Sequence, residues 1–232
     1  MASEAKVVAK KRAKRIPLTY VVALVPVAAA LNIVGGYINT ALHLPIFLDM
    51  IGTAVVAIVL GPWWGALVGA ITNIVSSFIS GPINLPFAAC NVVGALVWGY
   101  AHQWGWMRKQ WSFFLVNMLV ALFVTIVAVP IYVFVFGGAT GHFADLMTAA
   151  FVGMGDRLIT SVFKSNILVS LADKIIAGYV ALAIIEALPT NLTENLKLPQ
   201  AQGLNKIIMP LIGVLVGVLI VILFTFVIAP AA

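Results

Sequence analysis

From Met50 to Met107 the chain runs for 58 residues without an aspartate, glutamate, lysine or arginine. Soluble domains carry about one charged residue in four, so a segment of this length has no place in one. The rest of the chain agrees, with 9% charged and 63% hydrophobic residues and a mean hydropathy of +1.13. A crossing takes about 20 helical residues through a hydrocarbon layer about 30 Å thick. On that basis 232 residues accommodate about six to eight spans and no separate soluble domain. The expected fold class is an all-α polytopic membrane protein.

The net charge of +6 is concentrated at the start, in Lys6, Lys10, Lys11, Arg12, Lys14 and Arg15. Positive residues flanking a first span hold it at the cytoplasmic face and bind anionic headgroups. Residues 1–15 are therefore read as a cytoplasmic tail in contact with membrane lipid, not as a nucleic-acid site. The apolar run that follows continues past signal-peptide length without a small-residue cleavage site, so it is read as a retained span. Cys90 is the only cysteine. It has no partner for an intramolecular disulfide, and it is read as packing.

The first run, Pro17 to Ile38, opens on a proline tolerated at a helix start. A short polar loop, Asn39 to Pro45, holds His43. The second run, Ile46 to Leu60, falls short of a full crossing if it is helical, at about 22 Å. Gly61-Pro62 breaks it, and Trp63-Trp64 suit the membrane interface. The third run, Trp63 to Ser80, carries Gly65 and Gly69, with Ala66 and Ala70, as a small-residue packing face. Gly81-Pro82 closes it. A fourth run ends near Ala101, and a basic and aromatic border holds Arg108 and Lys109. The fifth run is Ser112 to Phe136. Gly137 to Lys164 reads as an external loop with a short amphipathic helix. A sixth run, Ser165 to Leu188, leads through a cytoplasmic linker, residues 190–206, to an additional C-terminal run, residues 207–229. Asn191-Leu192-Thr193 matches a glycosylation sequon but falls on the cytoplasmic side. With the amino terminus inside, basic residues count ten inside against Arg157 and Lys164 outside, as the positive-inside rule requires. The count leaves open whether the second and third runs cross fully or form a re-entrant hairpin.

No G-x-x-x-x-G-K-[ST] loop, H-E-x-x-H, G-x-S-x-G or Cys/His cluster with metal spacing is present, so the sequence offers no ATPase, hydrolase or metal centre. It also calls for no cofactor. What remains is a set of polar residues near the expected outer leaflet: Asn39, His43 and Asp49; Asn84 and Asn91; Arg157, Lys164 and Asn166. Polar groups at membrane depth are costly and mark a pathway or ligand site by default. Asp49 and Asn84 suit helix caps equally well, and Asn73, Asn91 and Asn117 suit interhelical hydrogen bonds. Asp173 and Lys174 are neighbours pointing about 100° apart on a helix, so they need not pair. They are read as a structural network or a partner contact.

The basic tail before an alanine-rich first span, LPIFLDMIGT leading into GPWWGALVGAITN, the later NVVGALVWGYA and the block SNILVSLADKIIAGYVALAIIEALP together resemble the substrate-binding S components of energy-coupling factor (ECF) vitamin transporters. The resemblance covers Ile16 to Pro189. It implies a six-helix bundle in a bacterial cell membrane that captures a vitamin at its outer face. It also implies a transmembrane T component and two cytoplasmic ATPase subunits as partners, in keeping with the absent nucleotide motif. Small residues of the first span would then glide on the T component. The Ala-x-x-x-Ala signature is imperfect here, because Val27 follows Ala23, leaving a face of Ala23, Val27 and Ala30. The C-terminal run is a second departure from the six-helix pattern.

By the same resemblance the expected ligand is cobalamin, with pantothenate, met by Arg157 or Lys164, and riboflavin as runners-up. An independent secondary transporter, with inverted repeats and broken helices, and a membrane assembly protein are the competing readings.

Overall fold

A computed structural model describes residues 17–199 and 205–227. It contains nine α-helices: α1 (Leu18–Leu42), α2 (Ile51–Val59), α3 (Pro62–Ser80), α4 (Ala88–Gln103), α5 (Gln110–Pro130), α6 (Ala144–Gly153), α7 (Leu158–Ala187), α8 (Thr190–Thr193) and α9 (Asn205–Val227). No strand occurs among the described residues. A 3-10 turn, Pro82–Asn84, leads into α4, and a π turn, Ile131–Val135, extends α5. Five segments are long and apolar enough to cross a membrane: α1, α3, Pro82–Gln103, Gln110–Val135 and α7. The basic tail, residues 200–204 of the expected linker and the last residues of the C-terminal run lie outside the described residues.

The second apolar run departs most from expectation. It is not one short helix: residues 44–50 are irregular, and only Ile51–Val59 is helical. Extended backbone advances up to about 3.3 Å per residue, against 1.5 Å in a helix, so a mixed segment of this length reaches across a bilayer where a helix could not. Its register along α1 shows that it does so. The Leu44 N–H bonds to the Asn39 carbonyl, Leu48 lies against Gly35, Gly52 lies against Ala28, and Val56 packs with Val21 and Val25. The segment therefore descends antiparallel to α1 to the far end, where Pro62 meets Gly99 of α4. It runs alongside most of α1 without turning back on itself as a hairpin would.

Non-helical backbone at membrane depth survives only when protein surrounds and satisfies it. Here the helical part, Gly52 to Val59, is buried throughout, while the irregular residues 44–49 are half-buried beside the end of α1. Such enclosure needs close approach, and small residues provide it. A Cβ on Gly52 would overlap the Ala28 backbone, and one on Gly65 the Ala57 backbone. The expected small-residue face of α3 is thus used twice, Gly65 on α2 and Gly69 on Asn91 of α4.

Two boundaries also shift. α1 continues to Leu42, so Asn39 sits on a helix and is buried. α7 starts at Leu158 and is 30 residues long, placing Lys164 inside it and Arg157 just before it. The local reason is that Lys164 lies on an exposed face near the start of α7 and pairs with Asp156 just before it, so its charge reaches water and does not end the helix. α7 then runs through the middle of the bundle, with 17 of its residues buried. α9 packs on it through Gly213, seated on the Tyr179 ring, and Gly217, seated on Ile176. That four-residue spacing is the usual small-residue helix contact in lipid.

Gly52→Ala is expected to push α2 off α1 and cost about 1–3 kcal/mol, as overpacking does. Gly153→Ala, where a Cβ meets nothing within 4 Å, should leave the protein as stable or slightly more so. Thermal unfolding of both variants in detergent tests the contrast; equal transitions would contradict the close approach.

Candidate ligand-binding site

At the end of the bundle where α1 finishes, the helices part around a cavity of about 480 Å³. Its walls come from seven places in the chain. α1 contributes Tyr37, Asn39 and His43 at its end. The non-helical crossing contributes Phe47 and Asp49. The end of α3 and the turn after it contribute Asn73 and Asn84. α4 and α5 add Phe87, Asn91 and Tyr132, and α7 adds Asn166, Ser170 and Lys174. The loop before α6 leans in through Thr140, His142 and Phe143.

The floor is a continuous polar chain. Asn32 Nδ2 donates to Thr53 Oγ1 at 2.8 Å and Thr72 Oγ1 at 3.1 Å, and its Oδ1 accepts from the Gly52 N–H at 2.7 Å. Thr53 Oγ1 donates to Asn91 Oδ1 at 3.0 Å, which turns the Asn91 amide so that its Nδ2 donates to Asp49 Oδ2, also at 3.0 Å. Asp49 makes no side-chain cap to α2. Asn84 likewise caps no helix start; its Nδ2 donates back to the Ser76 and Gly81 carbonyls at the end of α3. The capping alternative therefore does not describe either residue.

Asp173 and Lys174 form a buried ion pair, with side chains 0% and 1% exposed. Sequence neighbours on a helix diverge at Cβ, but a lysine stem is long enough to swing its ammonium back, and in a low-dielectric interior the adjacent carboxylate is a strong attractor for it. The other carboxylate oxygen, Asp173 Oδ1, accepts the Phe47 and Leu48 N–H groups at 2.9 and 2.7 Å. These are the donors that non-helical backbone leaves unpaired. Leu48 holds φ at +59°, a left-handed conformation unusual for a leucine, and the two hydrogen bonds hold it there. Lys174 Nζ also sits 5.6 Å from the Phe47 ring centroid.

His142 fastens the loop before α6 over the cavity. Its Nδ1 accepts the Ala144 N–H at 3.1 Å, so the proton is assigned to Nε2, which donates to the Ile46 carbonyl at 3.3 Å. Asn39 lies 3.3 Å from the same nitrogen, and the imidazole stacks on Phe47 at 4.6 Å. Asp145 Oδ2 accepts the Thr140 and Gly141 N–H groups at 2.7 and 2.6 Å, shaping the turn. Burial pushes the His142 imidazole below its ordinary pKa, partly opposed by the Ile46 carbonyl, Asp145 and Asp173.

Of the eight candidate residues, Asn39, His43, Asp49, Asn84, Asn91 and Asn166 line this cavity. Arg157 and Lys164 do not. Lys164 pairs with Asp156 at 2.6 Å and lies over the Phe151 ring. Ala23, Val27 and Ala30 lie together on the exposed face of α1. Lys174, Asn73, Phe47, Tyr132 and His142 were not among the candidates. For Lys174 a signal existed, since a lysine inside an apolar span is itself grounds for suspecting a site. For His142 there was none, because only the tertiary fold brings the loop before α6 over α1.

Asp173→Ala should cost about 3–5 kcal/mol, the usual consequence of leaving a buried charge unpaired. Adding Lys174→Met should recover part of the loss and not all, because the Phe47 and Leu48 N–H groups stay without an acceptor. Chemical denaturation in detergent measures both; a double variant no better than the single would contradict the ion-pair account. A second expectation follows from His142. A group whose pKa is depressed on folding contributes stability above its unfolded value, near 6.5, and loses it as pH falls below that value. Protection against hydrogen exchange at residues 140–147, relative to the intrinsic rate at each pH, should therefore fall between about pH 7 and pH 5, and His142→Asn should remove that fall.

The family described as ECF transporter, substrate-specific component, matches residues 20–194, about three quarters of the chain. The match covers every element that lines the cavity and ends before α9. Neither a curated protein nor a solved structure gives a match. An all-helical bundle with membrane-length spans and a polar cavity between them is what a membrane-embedded substrate-binding subunit requires, and the chain belongs to the substrate-specific (S) components of ECF transporters, which are multi-pass, non-enzymatic and partnered by a T component and ATPases.

Proposed function

We propose that this S component captures a vitamin-sized organic molecule in the cavity at the end of α1 and hands it to a T component with two ATPase subunits for import across a bacterial cell membrane. The observation that carries the reading is the cavity itself. Its volume of about 480 Å³ falls within the range of small-ligand sites, about 300–1,000 Å³. Its wall combines aromatic faces with a few placed amides and one carboxylate, the usual composition of a site that orients a single ligand. The excess of basic residues on the side of the amino terminus supports a cavity open to the outside, as capture requires. The exposed stripe of Ala23, Val27 and Ala30 supports α1 as the face that meets the T component.

The volume favours a ligand smaller than cobalamin, since a corrinoid is several times larger than the drug-sized molecules such cavities enclose. The placement of Arg157 and Lys164 outside the wall removes the cations that would have favoured pantothenate. Ring-containing vitamins such as riboflavin and thiamine fit the aromatic wall of Phe47, Phe87 and Tyr132 better.

Thermal unfolding of the purified chain against riboflavin, thiamine, pantothenate, biotin, folate and cobalamin tests the reading. One of them should stabilise it, by about 2.7 kcal/mol when present at a hundredfold excess over its Kd, and uptake into proteoliposomes should require the partner subunits and ATP. No stabilisation by any of the six, or accumulation by the chain alone without ATP, would overturn it.

A further inference from the structure

We propose that the ligand bears a cationic or amidine-type N–H group that seats on Asp49; this rests on the reading of the cavity as the vitamin site.

Charge balance around the cavity carries the inference. Lys174 is the one cationic side chain in the described wall, and Asp173 already holds it. The pair is buried, at 1% and 0% exposure, with Lys174 bordering the cavity and Asp173 behind it. Asp49, by contrast, is only partly buried within the chain and faces the open space. Asp145, which shapes the loop above, adds a second carboxylate at the same end. His142 is held neutral by its hydrogen bonds to Ala144 and Ile46. The acidic side chains at this end of the bundle are Asp49, Asp173 and Asp145 against the single cation Lys174, and of the three acids Asp49 alone lines the cavity. The surplus is negative, and the part of it that touches the cavity is Asp49.

The hydrogen bonds around Asp49 give the surplus a direction. A carboxylate has about four acceptor positions. Asn91 Nδ2 occupies one, on Oδ2. Asn91 has no freedom to turn and supply more, because Thr53 holds its Oδ1 and Asn32 holds Thr53. This side of the site is thus a fixed acceptor with capacity left over. Enclosing it under an uncharged or anionic ligand would bury a carboxylate without compensation, which is costly. A ligand N–H group carrying positive charge replaces the lost water with a charge-assisted hydrogen bond. Phe47, Phe87 and Tyr132 then flank the ring that carries the N–H group.

The test titrates the purified protein in lipid nanodiscs with thiamine, a cation with an aminopyrimidine, with benzamidine as a minimal amidine, and with riboflavin and pantothenate as neutral and anionic counterparts. Thiamine or benzamidine is expected to bind and the other two not. Asp49→Asn, which keeps shape and removes charge, should weaken the bound cation by about tenfold or more, the loss of one hydrogen bond to a charged group. Binding of riboflavin or pantothenate, with neither cation binding, overturns the inference and leaves the S-component reading intact. So does a cation whose affinity Asp49→Asn leaves unchanged. Failure of all four probes and of biotin, folate and cobalamin overturns both. The ranking on the unmodified protein decides between these outcomes even if Asp49→Asn does not fold.

Discussion

The structure depends on one carboxylate accepting two backbone N–H groups inside a membrane. Hydrocarbon offers no water to satisfy a peptide that leaves the helix, and each unpaired group there costs several kcal/mol. Residues 44–50 leave the helix at that depth, and Asp173 Oδ1 takes up the Phe47 and Leu48 N–H groups. A lone buried carboxylate would itself be untenable, so Lys174 accompanies it. The Ile46 carbonyl is met by His142 and the Gly52 N–H by Asn32. The second crossing is thus supported by side chains from α1, α7 and the loop before α6 where a helix would have supported itself.

The same departure creates the site. A regular helix at residues 44–50 would fill the space beside α1 with side chains and would turn its own N–H and C=O groups inward. The irregular segment leaves room and presents Phe47 and Asp49 to it. Stability and ligand capture therefore share residues: Asn91 both ties Thr53 to Asp49 and lines the wall. The substitutions with the largest expected stability costs lie next to those expected to alter binding, so folding and binding have to be measured separately.

Much of the fold was legible in the sequence. The charge-free stretch after Asp49, the Gly-Pro breaks at Gly61 and Gly81 and the length of the apolar runs mark a helical membrane bundle and most of its turns. They do so because a bilayer imposes a fixed thickness and excludes charge whatever the tertiary arrangement. Six of the eight candidate site residues line the cavity for a related reason: an asparagine or aspartate in such a run is expensive unless it has a partner, so its presence alone points to one. Arg157 and Lys164 lie outside the cavity wall, where charge near the start of α7 reaches water. Val27 sits on the exposed face beside Ala23 and Ala30 although it departs from the small-residue signature.

The sequence by itself determined the solvent this protein folds in, the number of polar groups it carries there and the places where its helices break, since each is a local consequence of composition and length. It did not determine how the short second run crosses, which partner Asp173 and Lys174 take, or that His142 reaches the first helix. Those rest on contacts between residues as far apart as Asn39 and His142, or Leu48 and Asp173. Such contacts are decided by which helices pack together, and small residues at Gly35, Gly52 and Gly65 permit that packing without announcing it.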